Sequence, residues 1–454
     1  MWPYTVPELP IRRLVCAGLL VAAAGVVLNA DDWPEWRGRG RLGVWDETGI
    51  LDRFPESGLT ATWRTPIHAG YAGPAVAQGR VFVTDAEHVK GNQVVERALA
   101  LDERTGQILW THQWQTNYSG LQLVYAIGPR ATPTVDGDRV YVLGTMGNLF
   151  ALDVATGHVL WQKDFVKDFN ASIPSWGITS APLVDGDRLI CVVGGEPDAK
   201  VMALDKRTGQ EVWRALSSDT EQGYNQPVIF EAGGVRQLIV FHPVGFSSLD
   251  PLTGKVYWEI DHRSQMGIVV ATPVKSGPYL FFTSQYGGAR MLRLDDSKPA
   301  ATILWAGPGE QDPGMTRDTP NTLNSVISTP VIHDGYVYGL DNDGQLRCLE
   351  ASTGRLIWKT DALLKEHAMY GTAFFVRQGE RFFINNDRGE LVMAALSPKG
   401  FTELGRTKLV EPTHPYVRRR QSPHVLWSHA AYANKHIVIR NDQEIVRYSL
   451  ASGS

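Results

Sequence analysis

The stretch that decides the fold is Ala100–Trp110, ALDERTGQILW, because the chain repeats it. It returns as ALDVATGHVLW (Ala151–Trp161), ALDKRTGQEVW (Ala203–Trp213), SLDPLTGKVYW (Ser248–Trp258) and CLEASTGRLIW (Cys348–Trp358). The apolar start reads as a strand, and the acid opens a turn by accepting backbone N–H groups. Gly completes that turn because it takes positive φ at no steric cost. The next strand places Trp four residues past the Gly, so each phrase is a hairpin. A Trp at one fixed place in every unit can pack on the neighbouring unit. Self-similarity at this period marks a propeller or a solenoid.

A second repeated element lies between the phrases. It is Pro-x-Val/Ile, a Gly-containing turn, then an alternating apolar strand, starting at Pro74, Pro133, Pro182, Pro227, Pro273 and Pro330. Degenerate copies start at Ala373 and Ala430, which makes eight. Trp-bearing strands give the same number. Trp305 is a sixth, with Asp295–Pro299 in place of the Thr-Gly turn, and Leu404 is expected to stand in for a seventh. The eighth is found near the N-terminus, as LTATWRT around Trp63. The repeat tryptophans Trp63, Trp110, Trp161, Trp213, Trp258, Trp305 and Trp358 lie 45 to 53 residues apart, one four-stranded blade each. The expected fold is all-β, an eight-bladed β-propeller of four-stranded antiparallel blades. The N-terminal strand closes the ring and so removes exposed sheet edges. Helix is expected to be nearly absent.

Composition bounds the function. The 454 residues are 43% hydrophobic and 20% charged, with formal net charge −4. That balance is ordinary for a globular protein and does not point to nucleic acid or an anionic membrane surface. At the N-terminus, Arg12-Arg13 precede an uncharged apolar run, Leu14 to Leu28, then Asn29-Ala30 and Asp31-Asp32. This predicts a secretory signal over residues 1–30, cleaved after Ala30, and a propeller over 31–454. The run is short for a membrane span, and a retained anchor is the alternative. Cys16 sits at the front of the run, which is the wrong place for a lipidated cysteine. The expected location is therefore periplasmic or cell envelope, with no transmembrane segment after processing. Cys191 and Cys348 fall on strands of different units and read as small buried hydrophobes. Two segments exceed what blades need: the Pro/Gly-rich 306–324, and 409–424 with its run Arg418-Arg419-Arg420.

The chain resembles proteins built from the pyrroloquinoline-quinone (PQQ) repeat, whose AxDxxTGxxxW signature Ala100–Trp110, Ala151–Trp161 and Ala203–Trp213 match. The opening DWPEWRGRGRLGV (Asp32–Val44) is similar to the start of exported PQQ-binding-like propellers. The resemblance implies one of two roles. Quinoprotein alcohol and sugar dehydrogenases hold PQQ and Ca²⁺ in an eight-bladed ring. BamB-like propellers use a similar ring as a scaffold without a cofactor. For the first role, Glu196 and Trp176 stand where the resemblance would place a calcium ligand and a quinone neighbour. A hard cation needs several oxygen ligands at once. Adjacent cysteines, an Asn-Pro calcium motif and a clear Asp base are all missing from the sequence. His414, His424, His429 and His436 lack the spacing of a metal site.

The remaining inference is geometric. The residues leading into each innermost strand line one mouth of the central channel. Here they are Tyr71, Arg130, Trp176, Tyr224 with Asn225 and Gln226, Ser325, Tyr370 and His429. Aromatic rings, amides and one arginine around an axis suit a polar or planar ligand, or a partner peptide. They could equally be filler of a narrow channel. The candidate binding residues are Arg130, Trp176, Glu196, Tyr224, Asn225, Tyr370 and His429; no catalytic residue and no metal site is assigned. The expectation is an exported, non-catalytic binding or scaffolding propeller whose partner is an envelope protein, a peptide or a small polar ligand. No cofactor is expected; PQQ with calcium belongs to the alternative, a dehydrogenase.

Overall fold

Eight four-stranded antiparallel sheets form among the described residues of the computed structural model, which are 1, 32–123, 127–217, 220–315, 321–416 and 423–453. Seven follow one another along the chain as blades 1 to 7, at 75–117, 134–164, 183–215, 228–261, 274–306, 331–360 and 373–408. Each runs in sequence order from inner to outer strand. Blade 8 takes three strands from 431–449 and its outer strand, Ala61–Pro66, from the start of the ring. That strand pairs with Glu444–Ser449, setting Trp63 opposite Arg447. The ring is therefore closed by the N-terminal strand. All these strands belong to one unit, Asp31–Ser454.

The repeated phrase explains how blades join. Asp102 Oδ1 accepts from the backbone of Arg104 and Thr105 and from the Thr105 hydroxyl, at 2.8–3.0 Å. Asp153 and Asp205 are bonded the same way. These donors hold the three carboxyls below the usual carboxylate range, for Asp102 chiefly through the Thr105 backbone N–H. The turn so built receives the preceding blade's Trp. Trp63, Trp110, Trp161 and Trp213 donate their indole N–H to the carbonyls of Glu103, Val154, Lys206 and Pro251, each the residue after the turn acid. Trp305 does the same to Ala351, and Trp358 reaches Ser397. The turn glycine is needed twice over. Gly157 has φ 73°, and a Cβ there would stand 2.6 Å from the Trp110 ring.

All eight sheets share a β-bulge at this position. Trp110 faces Ala100, while Leu101 faces Ile108, so Leu109 is squeezed outward and exposed. In blade 7 the bulge puts Gly405, not Leu404, in the Trp position, because Met393 faces Gly405 and Ala394 faces Glu403. Leu404 is the exposed bulge residue. Phe54, from the segment before the closing strand, covers Gly405 in place of an indole. Blade 4 departs differently. With Asp295–Pro299 replacing the Thr-Gly turn, Trp258 donates to Gln237 Oε1 within its own blade, at 2.8 Å.

Residues 32–51 form a strap across the inner strands. Trp33 bridges Val76 of blade 1, and Pro34 accepts from Val135 of blade 2. Val44 pairs with Arg377 of blade 7, and Ile50 with Ala451 beside blade 8. Arg41 is buried at the middle of the strap. It donates to the carbonyls of Pro227, Ala181 and Pro182 at 2.7–3.1 Å and pairs with Glu35 at 3.0 Å. Blades 3 and 4 are thus tied to the strap by one guanidinium. A one-turn helix, Phe165–Phe169, follows blade 2, capped by Asp164. The 409–424 segment holds a two-residue pairing, His414–Pro415 with His424–Val425. Cys191 and Cys348 are free and buried. The signal expected over 1–30 and the Arg418–Arg420 run lie outside the described residues.

Candidate functional site

Antiparallel blades of one hand put every lead-in to an inner strand on the same face of the ring. The lead-ins converge on an axial cavity of about 250 Å³. Seven lead-ins give one or two wall residues each: Tyr71, Arg130, Trp176 with Thr179, Tyr224 with Gln226, Val326 with Ile327, Tyr370, and Trp427 with His429. The turn between blade 5's middle strands adds Gln285 and Tyr286, and the lead-in to blade 5 adds Met266, Ile268 and Val270. Trp36 of the strap also lines the cavity. Its indole meets His429 edge-on with centroids 4.3 Å apart, lies 6.4 Å from Phe374, and donates to Thr272.

Of the seven candidate residues, five line the cavity: Arg130, Trp176, Tyr224, Tyr370 and His429. Trp176 and Tyr224 meet edge-on at 5.5 Å. The Tyr224 hydroxyl donates to Glu221 Oε2 at 2.7 Å. Tyr370 is held at φ 58°, the left-handed region that strains a non-glycine, and packs beside Tyr416 of the 409–424 segment. His429 lies over Gly73, with Nε2 2.8 Å from the Thr132 hydroxyl. Burial pushes its imidazole down to about 4, so it is neutral at pH 7. Burial also lowers the Arg130 guanidinium, whose Cζ stands 6.0 Å from the Tyr71 ring centre.

Two candidates lie elsewhere. Asn225 is buried with its amide bonded to the Phe241 carbonyl, so it fastens the wall from behind. Glu196 sits in the turn between the middle strands of blade 3 and accepts from the Ser217 hydroxyl at 3.2 Å. It is not among the cavity's lining residues. Gln226 lines the cavity, yet its amide is occupied by the Ala181 N–H and the Thr179 carbonyl. Sequence reasoning missed Trp36, which no repeat marks, and Trp427, two residues before His429.

This donor set does not fit calcium. No Asp or Glu lines the cavity among the described residues, and Glu196 has no second carboxylate bonded beside it. A Ca²⁺ ion takes six to eight oxygens, several of them charged. The cavity offers mostly rings and aliphatic side chains. A polar groove adjoins it, sharing Trp176 and Met266 and bounded further out by Glu221, Arg263, Gln311 and Asp312.

Comparison with known proteins gives the same architecture. Over 320 residues the chain is 26% identical to the outer membrane protein assembly factor BamB of Moranella endobia (strain PCIT), covering 67% of this chain and 73% of that one. The structure of BamB from Moraxella catarrhalis superposes with TM-score 0.54 at 15% identity, over 86% of this chain and 99% of that one. Quinohemoprotein alcohol dehydrogenase from Comamonas testosteroni superposes with TM-score 0.61, also at 15% identity, over 93% of this chain and 81% of that one. At such identities these superpositions speak for the fold alone. The family model described as outer membrane protein assembly factor BamB matches residues 55–162, 94–360 and 303–454, and the chain belongs to that family.

Proposed function

We propose that this chain is an exported, non-catalytic propeller of the cell envelope that binds a partner through its axial cavity and the adjoining groove. Residues 1–30 act as the export signal in this reading, and 31–454 as a single binding module. The observation that carries it is the cavity's lining, rich in aromatic side chains, walled by all eight lead-ins or neighbouring turns, and free of Asp and Glu among the described residues. Such a surface recognises apolar and planar groups, and among the described residues it offers no carboxylate base for taking a proton from an alcohol. Membership of the BamB family supports a partner among envelope proteins. The rigid ring then presents loops and cavity without changing shape.

The test is calorimetric titration of the chain from residue 31 with PQQ, with and without Ca²⁺, alongside a dye-linked alcohol oxidation assay. The expected outcome is no calcium-dependent binding and no turnover, with Glu196→Gln indistinguishable from the parent. Calcium-dependent binding that Glu196→Gln abolishes would overturn the reading. A photo-crosslinker at Met266, between cavity and groove, is expected to capture an envelope protein that the same crosslinker at exposed Leu160 does not.

A further inference from the structure

The seam between blades 6 and 7 carries a cluster that the axial cavity does not use. His333 ends the inner strand of blade 6, Asp334 follows it in the turn, and Glu380 stands in the corresponding turn of blade 7. The His333 side chain is 12% exposed, and its ring meets Phe382 of blade 7 edge-on at 5.5 Å. Its Nε2 lies 3.6 Å from Asp334 Oδ2 and 3.6 Å from Glu380 Oε2. The three donor atoms all fall within 4.8 Å of one another. Both carboxylates are open to solvent, so an ion can reach them. Two other seams show what is unusual here. The inner strands of blades 2 and 3 end on Asp136 and Asp185. Each is met by a cation of the next blade, Lys206 at 2.7 Å and Arg236. At the seam of blades 6 and 7 that position holds an imidazole, and the next blade brings a carboxylate instead of a cation. Among the described residues, neither Asp334 nor Glu380 has an ion-pair partner other than His333. Even protonated, one imidazole balances only one of the two carboxylates.

We infer that His333, Asp334 and Glu380 bind one divalent transition-metal ion of the zinc class, which clips blade 6 to blade 7. Zinc bonds to imidazole nitrogen and carboxylate oxygen are about 2.0–2.2 Å long, so two ligands on a tetrahedral ion stand roughly 3.4 Å apart. The spacing on either side of the imidazole is close to that already, and the exposed carboxylates can make the remaining adjustment. The imidazole selects zinc and its neighbours over calcium and magnesium, which take oxygen ligands. The two carboxylates offset the charge of the ion, and water completes its coordination on the open side. The site lies apart from the axial cavity, whose lining includes none of the three residues. It therefore stands or falls independently of the binding role proposed above.

The experiment is calorimetric titration of the untagged, chelator-washed protein with Zn²⁺, with Ca²⁺ as the comparison, alongside thermal melts with and without each ion. One zinc per chain should bind with a dissociation constant of about 10 μM or tighter. The melting temperature should rise with zinc, because the ion holds the folded seam. His333→Gln, Asp334→Asn and Glu380→Gln should each weaken that site at least tenfold and cancel the rise. Without zinc each should melt no lower than the parent, and Asn suits the φ of 48° at position 334. Zinc binding that survives all three substitutions belongs to other histidines and overturns the inference. Calcium bound as tightly as zinc, and still bound after His333→Gln, would make the cluster a carboxylate surface and overturns it too. So does the absence of any binding at millimolar zinc.

Discussion

Replacing Arg41 with Met tests whether the strap is held by one guanidinium. Three of its bonds run to the carbonyls of Ala181, Pro182 and Pro227, and a fourth to Glu35. Hydrogen bonds to a charged group contribute about 1.5–3 kcal/mol each. Burial of the guanidinium, which lowers its pKa, takes part of that back. Removing one partner of a buried ion pair typically costs about 3–5 kcal/mol. We take about 4 kcal/mol for release of the strap, which is nearly three orders of magnitude in an opening equilibrium. The backbone amides of Trp33, Trp45 and Leu51 report that opening, because all three donate to the ring when the strap is down. Hydrogen exchange should accelerate there by about a thousandfold, as should exchange at Val76, Val135 and Arg377, which donate to the strap. Amides inside blades 3 to 6 should not change. Acceleration of less than tenfold would refute the reasoning, since the strap would then be held by Trp33, Trp36 and Trp45 rather than by Arg41.

Three further outcomes are expected. His262 is buried against Phe241 and Phe282, and burial followed by Arg290 pushes its pKa down to about 3. The unfolded chain takes up its proton near pH 6.5 while the folded chain does not, so stability from this group is full above about 6.5 and is lost as pH falls. His262→Leu should therefore gain about 3 kcal/mol relative to the parent between pH 6.5 and 4, by urea unfolding. Glu96, whose pKa burial raises, works the other way and cancels in that comparison; a constant difference with pH would refute the assignment. Gly157→Ala meets both a positive φ and the Trp110 ring, and should cost roughly 2–4 kcal/mol. Gly137→Ala has a positive φ but open space and should cost about 1 kcal/mol; equal costs would deny the indole its role. Trp161→Phe loses both the bond to the Lys206 carbonyl and the part of the indole that packs on Gly209, and should cost about 2–3 kcal/mol, whereas no change in melting temperature would make that contact incidental.

The ring was legible because its information is local and repeated. Asp102, Thr105, Gly106 and Trp110 lie within nine residues, and the same chemistry recurs in each blade. The closing strand was legible because Trp63 carries the same mark. Where the mark is absent, reading by analogy slipped. Leu404 was the hydrophobic residue in the right window, but the bulge counts one residue further and selects Gly405, with Phe54 supplying the ring from about 350 residues away. The cavity wall was legible through topology, since any lead-in to an inner strand must face the axis. Which way a lead-in side chain turns was not: Asn225 points back to Phe241, while its neighbour Tyr224 faces in. The strap left almost no trace in the sequence, because the Arg41 bonds to blades 3 and 4 span 140 to 186 residues.

The clasp between Ala61–Pro66 and Glu444–Ser449 also governs when this molecule can exist. A strand made early in synthesis stays without its partner until the last strand of the ring has been delivered. Its mates, Ile50 with Ala451 and Gly49 with Ser452, arrive later still. A prematurely ended copy would thus present two open sheet edges rather than a smaller working ring, and would be a ready target for proteases. Completeness of the ring is in this way checked by its own geometry, at the seam where its first and last strands meet.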